Sequence, residues 1–172
     1  MNVLVTGANG FIGKNLVVRL NELDINTEAY TRENSAHNFP DLLKKIDFVV
    51  HLAGENRPED EDDFELVNSG LTSLICDEIR LIEKDIPIIL ASSTQAEHDN
   101  LYGKSKLGAE IAIKNLANDT GNSAYTYRLP GVFGKWCKPN YNSVVATFCH
   151  NISHNLPIQV NDPSFELSLV YI

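Results

Sequence analysis

The apolar run Val3-Leu4-Val5 breaks into Thr6-Gly7-Ala8-Asn9-Gly10-Phe11-Ile12-Gly13, and a helical period of Leu16, Val17 and Leu20 follows at once. No other feature of the chain constrains its fold so strongly. A strand, a bend with glycine at every third position and a helix in direct succession make the opening of a β-α-β unit. The first glycine permits a tight turn, the second lets the backbone approach a ligand without a Cβ in the way, and the third allows helix to pack on strand. N–H groups at the helix start suit the pyrophosphate of a dinucleotide. The candidate contacts in this bend are Thr6, Gly7, Asn9, Gly10, Phe11, Ile12 and Gly13.

The rest of the chain continues the alternation. Strands are predicted over Val3 to Val5, Thr27 to Tyr30, Phe48 to Leu52, Ile88 to Ala91 and Ala124 to Arg128. Helices are predicted over Phe11 to Leu23, Glu65 to Ile82, Tyr102 to Ala117 and Ser143 to His154. Such an order gives an α/β fold, a Rossmann-like doubly wound parallel sheet with helices on both faces. Phe48-Val49-Val50 and Ile88-Ile89-Leu90 are unbroken apolar runs, as expected of central strands buried on both sides. About sixteen residues join Tyr30 to Asp47, too few for a helix-strand-helix passage, so one strand of the full doubly wound half is expected to be missing. Phe165, Leu167, Leu169 and Tyr171 alternate with polar residues like a half-buried strand that stops at Ile172, so residues 1–172 are read as a dinucleotide-binding domain incomplete at its C-terminus.

Composition narrows the function. With 14 Lys+Arg against 23 Asp+Glu the net charge is −9, and no basic stripe stands out, which argues against nucleic acid or an anionic membrane as partner. The chain shows no signal peptide and no membrane span, and its three cysteines form no C-x-x-C pair, so a cytoplasmic protein with reduced thiols is expected. The acidic run Glu59 to Asp63 is read as a solvated helix start. His51 is read as a hydrogen-bonded core histidine. His150 and His154 share a helix face but have no obvious third ligand, so no metal is expected.

Two further positions carry chemistry. Tyr102 and Lys106 stand four apart at the start of a helix and so share a face; an ammonium beside a phenol favours its ionised form and brings its proton within reach of working pH. At the end of the second strand the chain reads Ala29-Tyr30-Thr31-Arg32, without the acidic residue that would hold a ribose 2′-hydroxyl. Arg32, helped by Thr31, favours the 2′-phosphate of NADP(H), with NAD(H) as the alternative.

The G-x-x-G-x-x-G spacing after Thr6, together with Tyr102-x-x-x-Lys106, resembles the extended, sugar-nucleotide branch of the short-chain dehydrogenase/reductase superfamily. Within it, the short Gln95 to Leu101 link, Gly54-Glu55-Asn56-Arg57-Pro58 and the stretch Phe133-Gly134-Lys135-Trp136-Cys137-Lys138-Pro139-Asn140-Tyr141-Asn142-Ser143 are similar to the N-terminal reductase domain of capsule and O-antigen enzymes of the CapF/WbjC type, on the route to UDP-N-acetyl-L-fucosamine. Full-length members carry a metal-binding cupin domain beyond this region. The resemblance implies an NADPH-dependent reduction of a UDP-linked keto-deoxysugar. Tyr102 would be general acid, Lys106 would tune it and hold the nicotinamide ribose, and Ser93, with Thr94 in reserve, would bind the carbonyl. It further implies that Leu52, Ala53 and Gly54 line the cofactor ribose and that Leu129 and Pro130 lie near the nicotinamide. Asn68 would anchor the active-site helix and, with Arg57, Lys135, Trp136, Lys138, Asn140 and Asn142, serve the substrate side. Gly131 departs from the family pattern, where Asn follows the proline. A homodimer is compatible with the resemblance. The rivals are an epimerase or dehydratase with tightly held NAD, and a dinucleotide-binding module without turnover; Gln95, where a dehydratase would place an acid, weakens the first.

Overall fold

The computed structural model describes residues 1–34 and 39–172. They form two compact units, Met1–Arg128 and Leu129–Ile172. In the first, strands β1 (Asn2–Thr6), β2 (Asn26–Tyr30), β3 (Phe48–His51), β4 (Ile88–Ser93) and β5 (Ala124–Leu129, its last residue opening the second unit) make one sheet in the order β2-β1-β3-β4-β5. β1 pairs in parallel with β2 on one side and β3 on the other, and β3 pairs in parallel with β4. Consecutive strands therefore leave β1 in opposite directions, which opens a crevice at the carboxyl ends of β1 and β3. Between Tyr30 and Phe48 the described residues contain the short helix α2 (Phe39–Leu43) and no strand.

The two-residue period of the strands explains both cores. Val3 and Val5 pack with Ala8 against Leu16, Val17 and Leu20 of α1 (Phe11–Glu22). Leu4 points the other way and joins Val49, Ile88 and Leu90 in a second cluster. That cluster is closed by Ile75 and Ile79 of α3 (Leu71–Leu81) and by Ile113 and Leu116 of α4 (Leu101–Thr120). The helix expected over Glu65 to Ile82 begins as a π-helical turn, Phe64–Gly70, before continuing as α3. Asn68 and Ser69 are buried within that turn.

In the second unit β6 (Gly131–Phe133) pairs in parallel with β7 (Leu169–Tyr171), and α5 (Val144–Ser153) is capped by Ser143, whose hydroxyl accepts the Ala146 N–H. The expected strand from Phe165 is shorter because β6 offers only three partners, and Phe165 and Leu167 stay exposed. Among the described residues no helix is long and apolar enough to cross a membrane.

A buried chain of hydrogen bonds crosses the first unit. Thr6 Oγ1 accepts the N–H groups of Leu52 (3.2 Å) and Ala53 (3.1 Å) and lies 2.6 Å from His51 Nδ1. Its own hydrogen must go to Nδ1, which leaves the imidazole proton on Nε2, 2.8 Å from Thr72 Oγ1. Thr72 in turn donates to the Asn68 carbonyl at 2.6 Å. Burial, with a smaller push from the Lys106 charge, lowers the His51 pKa from 6.5 to about 3, so the ring is neutral. An unfolded chain takes up a proton near pH 6.5 that the folded one refuses until about pH 3, so this contribution is complete above pH 6.5 and is lost as pH falls through that window. Urea unfolding at pH 7 and pH 5 should show the native chain losing about 2 kcal/mol more than the His51→Asn variant. Equal losses would contradict the neutral buried imidazole.

Candidate active site

The glycine bend is built for close approach. Gly7 has φ +68° and donates its N–H to the Tyr30 carbonyl at 3.1 Å; a Cβ there would sit 2.7 Å from the Ala53 nitrogen. At Gly13 a Cβ would fall 2.2 Å from the Gly7 oxygen, so the helix can seat on the bend only as glycine. Gly10 differs: a Cβ would meet only the Gly7 oxygen, at 3.1 Å, and otherwise open space. Gly10 is also the extended N-cap of α1, which has no side-chain cap and no acidic residue in its first turn. The positive end of the helix therefore faces outward over the bare backbone of Gly10, a fit for an anionic pyrophosphate. Asn9 is exposed there, and Phe11 and Ile12 are half-buried.

The exit of β3 forms one wall of this bend and connects it to α4. Leu52 and Ala53 are held by Thr6, and a Cβ on Gly54 would lie 2.8 Å from Asn68 Oδ1 and 3.6 Å from Lys106 Nζ. At the exit of β2, Thr31 donates both its N–H (2.7 Å) and its hydroxyl (3.1 Å) to Asn34 Oδ1. Arg32, its side chain 83% exposed, pairs with Glu55 at 2.9 Å. Glu55 also accepts the N–H groups of Asn56 and Arg57. A 2′-phosphate on Arg32 would thus have to compete with a carboxylate that sequence inspection did not connect to it.

α4 is fixed at its start by features that lie on either side of the short link. Asn100 caps it by accepting the Gly103 N–H at 2.7 Å. A Cβ on Gly103 would come within 2.3 Å of the Gln95 oxygen and 2.4 Å of the His98 oxygen, so the helix presses directly on the 3-10 turn Thr94–Glu97. Ser93 caps that turn by accepting the Gln95 N–H at 3.1 Å, and its hydroxyl is the group that opposes the burial-driven rise of the Tyr102 pKa. The reserve candidate, Thr94, is exposed. The Tyr102 ring packs 5.8 Å from that of Phe64.

Lys106 is 6% exposed, and its Nζ donates to the Ala91 carbonyl at 2.8 Å. Burial lowers its pKa to about 8, against the raising influence of Glu110. The phenol does not behave as sequence spacing predicts. Burial raises the Tyr102 pKa, opposed by the Ser93 hydroxyl, while the ammonium expected to lower it is drawn to the strand carbonyl. At neutral pH the tyrosine keeps its proton.

Asn68 locks these pieces together. Its Oδ1 accepts the Glu55 N–H (2.8 Å), and its Nδ2 donates to the Glu55 carbonyl (2.9 Å) and to Ser105 Oγ (2.9 Å). Ser105 then donates to the Tyr102 carbonyl at 2.8 Å. The amide of Asn68 is engaged within the chain at each of these atoms, which matches an anchor better than a substrate contact. Arg57 is exposed on the loop after Glu55.

Leu129, Pro130 and the loop residues Lys135, Trp136, Lys138, Asn140 and Asn142 belong to the second unit. There Lys135 sits 4.4 Å over the Trp136 ring, Lys138 sits 5.4 Å from the Tyr141 ring, and the Asn140 N–H bonds Thr147. His150 and His154 stack at 4.2 Å, and among the described residues no group of three metal-ligating side chains occurs.

Residues 3–166 match the NAD dependent epimerase/dehydratase family. The chain is 52% identical to the UDP-2-acetamido-2,6-beta-L-arabino-hexul-4-ose reductase of Pseudomonas aeruginosa, over 100% of this chain and 46% of that protein. It is similar to the crystal structure of the capsular polysaccharide assembling protein CapF from Staphylococcus aureus, with 46% identity, a TM-score of 0.87, and coverage of 99% of this chain and 47% of that one. MoeE5 in complex with UDP-glucose and NAD shares the fold at 24% identity and a TM-score of 0.85, over 99% of this chain and 68% of that one. The chain spans somewhat less than half the length of the first two relatives. Because the family match runs from the first strand to Glu166, across both the glycine bend and the tyrosine helix, the chain belongs to the NAD-dependent epimerase/dehydratase family.

Proposed function

We propose that residues 1–172 serve as an NAD(P)-binding reductase domain that reduces the keto group of a UDP-linked deoxysugar in capsule or O-antigen precursor synthesis. The observation that carries this is Lys106, buried beside the wall of the glycine bend and held on the β4 carbonyl of Ala91, one helical turn from Tyr102, on whose phenol the Ser93 hydroxyl acts. The Pseudomonas aeruginosa relative, by its name, reduces a UDP-linked hexulose of this kind. When bound, the dinucleotide supplies the hydride.

The chain's own residues do the rest. Ser93 orients the carbonyl oxygen, and Tyr102, protonated at neutral pH because it is buried, gives its proton to the oxygen as negative charge develops there. Lys106, held on the Ala91 carbonyl, is assigned to the ribose of the nicotinamide. Leu52, Ala53 and Gly54 leave room for that ribose, and Leu129 and Pro130 are assigned to the nicotinamide side. Arg57 is assigned to the nucleotide-sugar, and within the second unit the Lys135 to Asn142 loop, with cations, amides and Trp136, has chemistry suited to the same ligand class. NADP(H) is favoured over NAD(H) because Arg32 exchanges a surface ion pair with Glu55 for a doubly charged phosphate. A cytoplasmic location is supported by three unpaired cysteines.

Two measurements test this. With the keto sugar named for the Pseudomonas aeruginosa relative as substrate, Tyr102→Phe should slow NADPH oxidation about 100-fold or more while NADPH affinity holds. An unchanged rate would exclude Tyr102 as the acid. In cofactor titrations, Arg32→Ala should weaken NADPH about tenfold and leave NADH unaltered. Equal weakening of both would remove Arg32 from the 2′-phosphate, and NAD retained through purification would favour an epimerase or dehydratase instead.

A further inference from the structure

Consecutive residues at the end of β4 hold a single stripe on α4. Ala91 accepts from Lys106 Nζ and Ser92 donates its hydroxyl to Glu110, while the Ser93 hydroxyl acts on the Tyr102 phenol. Tyr102, Lys106 and Glu110 are spaced by four and four, so they face the sheet together. Glu110 is the member of this stripe to which the proposed chemistry gives no task. Its side chain is 12% exposed, and Arg128 of β5 grips it with a fork, Nε to Oε1 at 2.9 Å and Nη2 to Oε2 at 2.7 Å. The remaining guanidinium nitrogen bonds Glu97, on the turn between Ser93 and Tyr102, at 2.7 Å.

We infer that Glu110, clamped by Arg128, is a positioning residue of this site: it fastens α4 to the end of β4 through Ser92 and supplies the counter-charge that keeps the buried Lys106 an ammonium. The surroundings of Lys106 leave that task to Glu110. β3 contributes His51, whose ring is neutral, and β4 contributes the Ala91 carbonyl. The π-helical turn contributes the uncharged amide of Asn68, and α4 itself contributes the protonated phenol of Tyr102. Glu110 is then the anionic side chain that acts on Lys106, and Arg128 holds Glu110 through its fork. A carboxylate left wholly to Lys106 would pair with it and pull it off the Ala91 carbonyl. Held by the fork, it acts through its field and stays on Ser92.

The inference rests on Lys106 being the working ammonium, but its test uses neither cofactor nor substrate, so it can fail while the proposed reduction stands. The 13Cε signal of Lys106, assigned by its loss in Lys106→Met, is followed in the 172-residue chain from about pH 6 to about pH 11. The native midpoint is expected near 8. Glu110→Gln, whose amide can still accept from Ser92 and Arg128, should lower the midpoint by about one pH unit, and Arg128→Gln should raise it by a smaller amount. Opposite movements distinguish a counter-charge from general loosening, which would shift both variants alike. An unmoved midpoint in Glu110→Gln, or movement of both variants in one direction, overturns the inference. If Glu110→Gln does not fold, Arg128→Gln decides alone: a midpoint that stays or falls refutes it.

Discussion

The hydroxyl of Thr6 sets the geometry on which the site depends. It takes two N–H groups from the exit of β3 and gives its hydrogen to His51, so β1 and β3 are held in register beyond the last ladder pair. That fixes the exit of β3, where Ala53 presses on Gly7 and Gly54 borders Lys106. Cradle and tyrosine helix therefore share a wall. Thr6, His51 and Thr72 are fully buried, and a missing link would leave a polar atom without water to replace its partner. Such a chain admits one tautomer and one direction of donation, which makes it a more specific brace than apolar packing alone.

The second attachment is electrostatic. Lys106 is placed where burial works against its charge, Glu110 supports that charge, and Arg128 holds Glu110 in place. Tyr102 sits in the same strip and is driven toward its protonated form. A donor phenol and a cation that has not yet lost its proton are the states a reductive half-reaction needs before any ligand arrives.

The parts legible in the sequence were those encoded locally. Apolar runs placed the strands, glycine spacing placed the bend, and the interval from Tyr102 to Lys106 placed both on one helix face. The parts that were not legible depend on distant pairing. Thr6 and His51 lie 45 positions apart, and His51 and Thr72 lie 21 apart. The π-helical turn leaves no period to read, yet it presents Asn68 to Glu55 and Ser105. Glu110 stood in plain view on the tyrosine helix, but its partner comes from β5 and only the sheet order brings the two together. The acidity of Tyr102 had the wrong sign in the sequence because spacing shows that an ammonium is near and does not show the Ala91 carbonyl that draws it away. An N-cap asparagine at 100 and a glycine at 103 were readable signals of how tightly α4 starts.

The central claim is that the glycine bend and the end of β4 serve one dinucleotide. Titrating NADPH into the 15N-labelled chain and following backbone amides tests it most directly. Gly10, Phe11 and Ile12 in the bend and Ser92, Ser93 and Tyr102 at the reactive end should all shift and saturate with one dissociation constant. Shifts confined to one of these two groups, or two different constants, would contradict it.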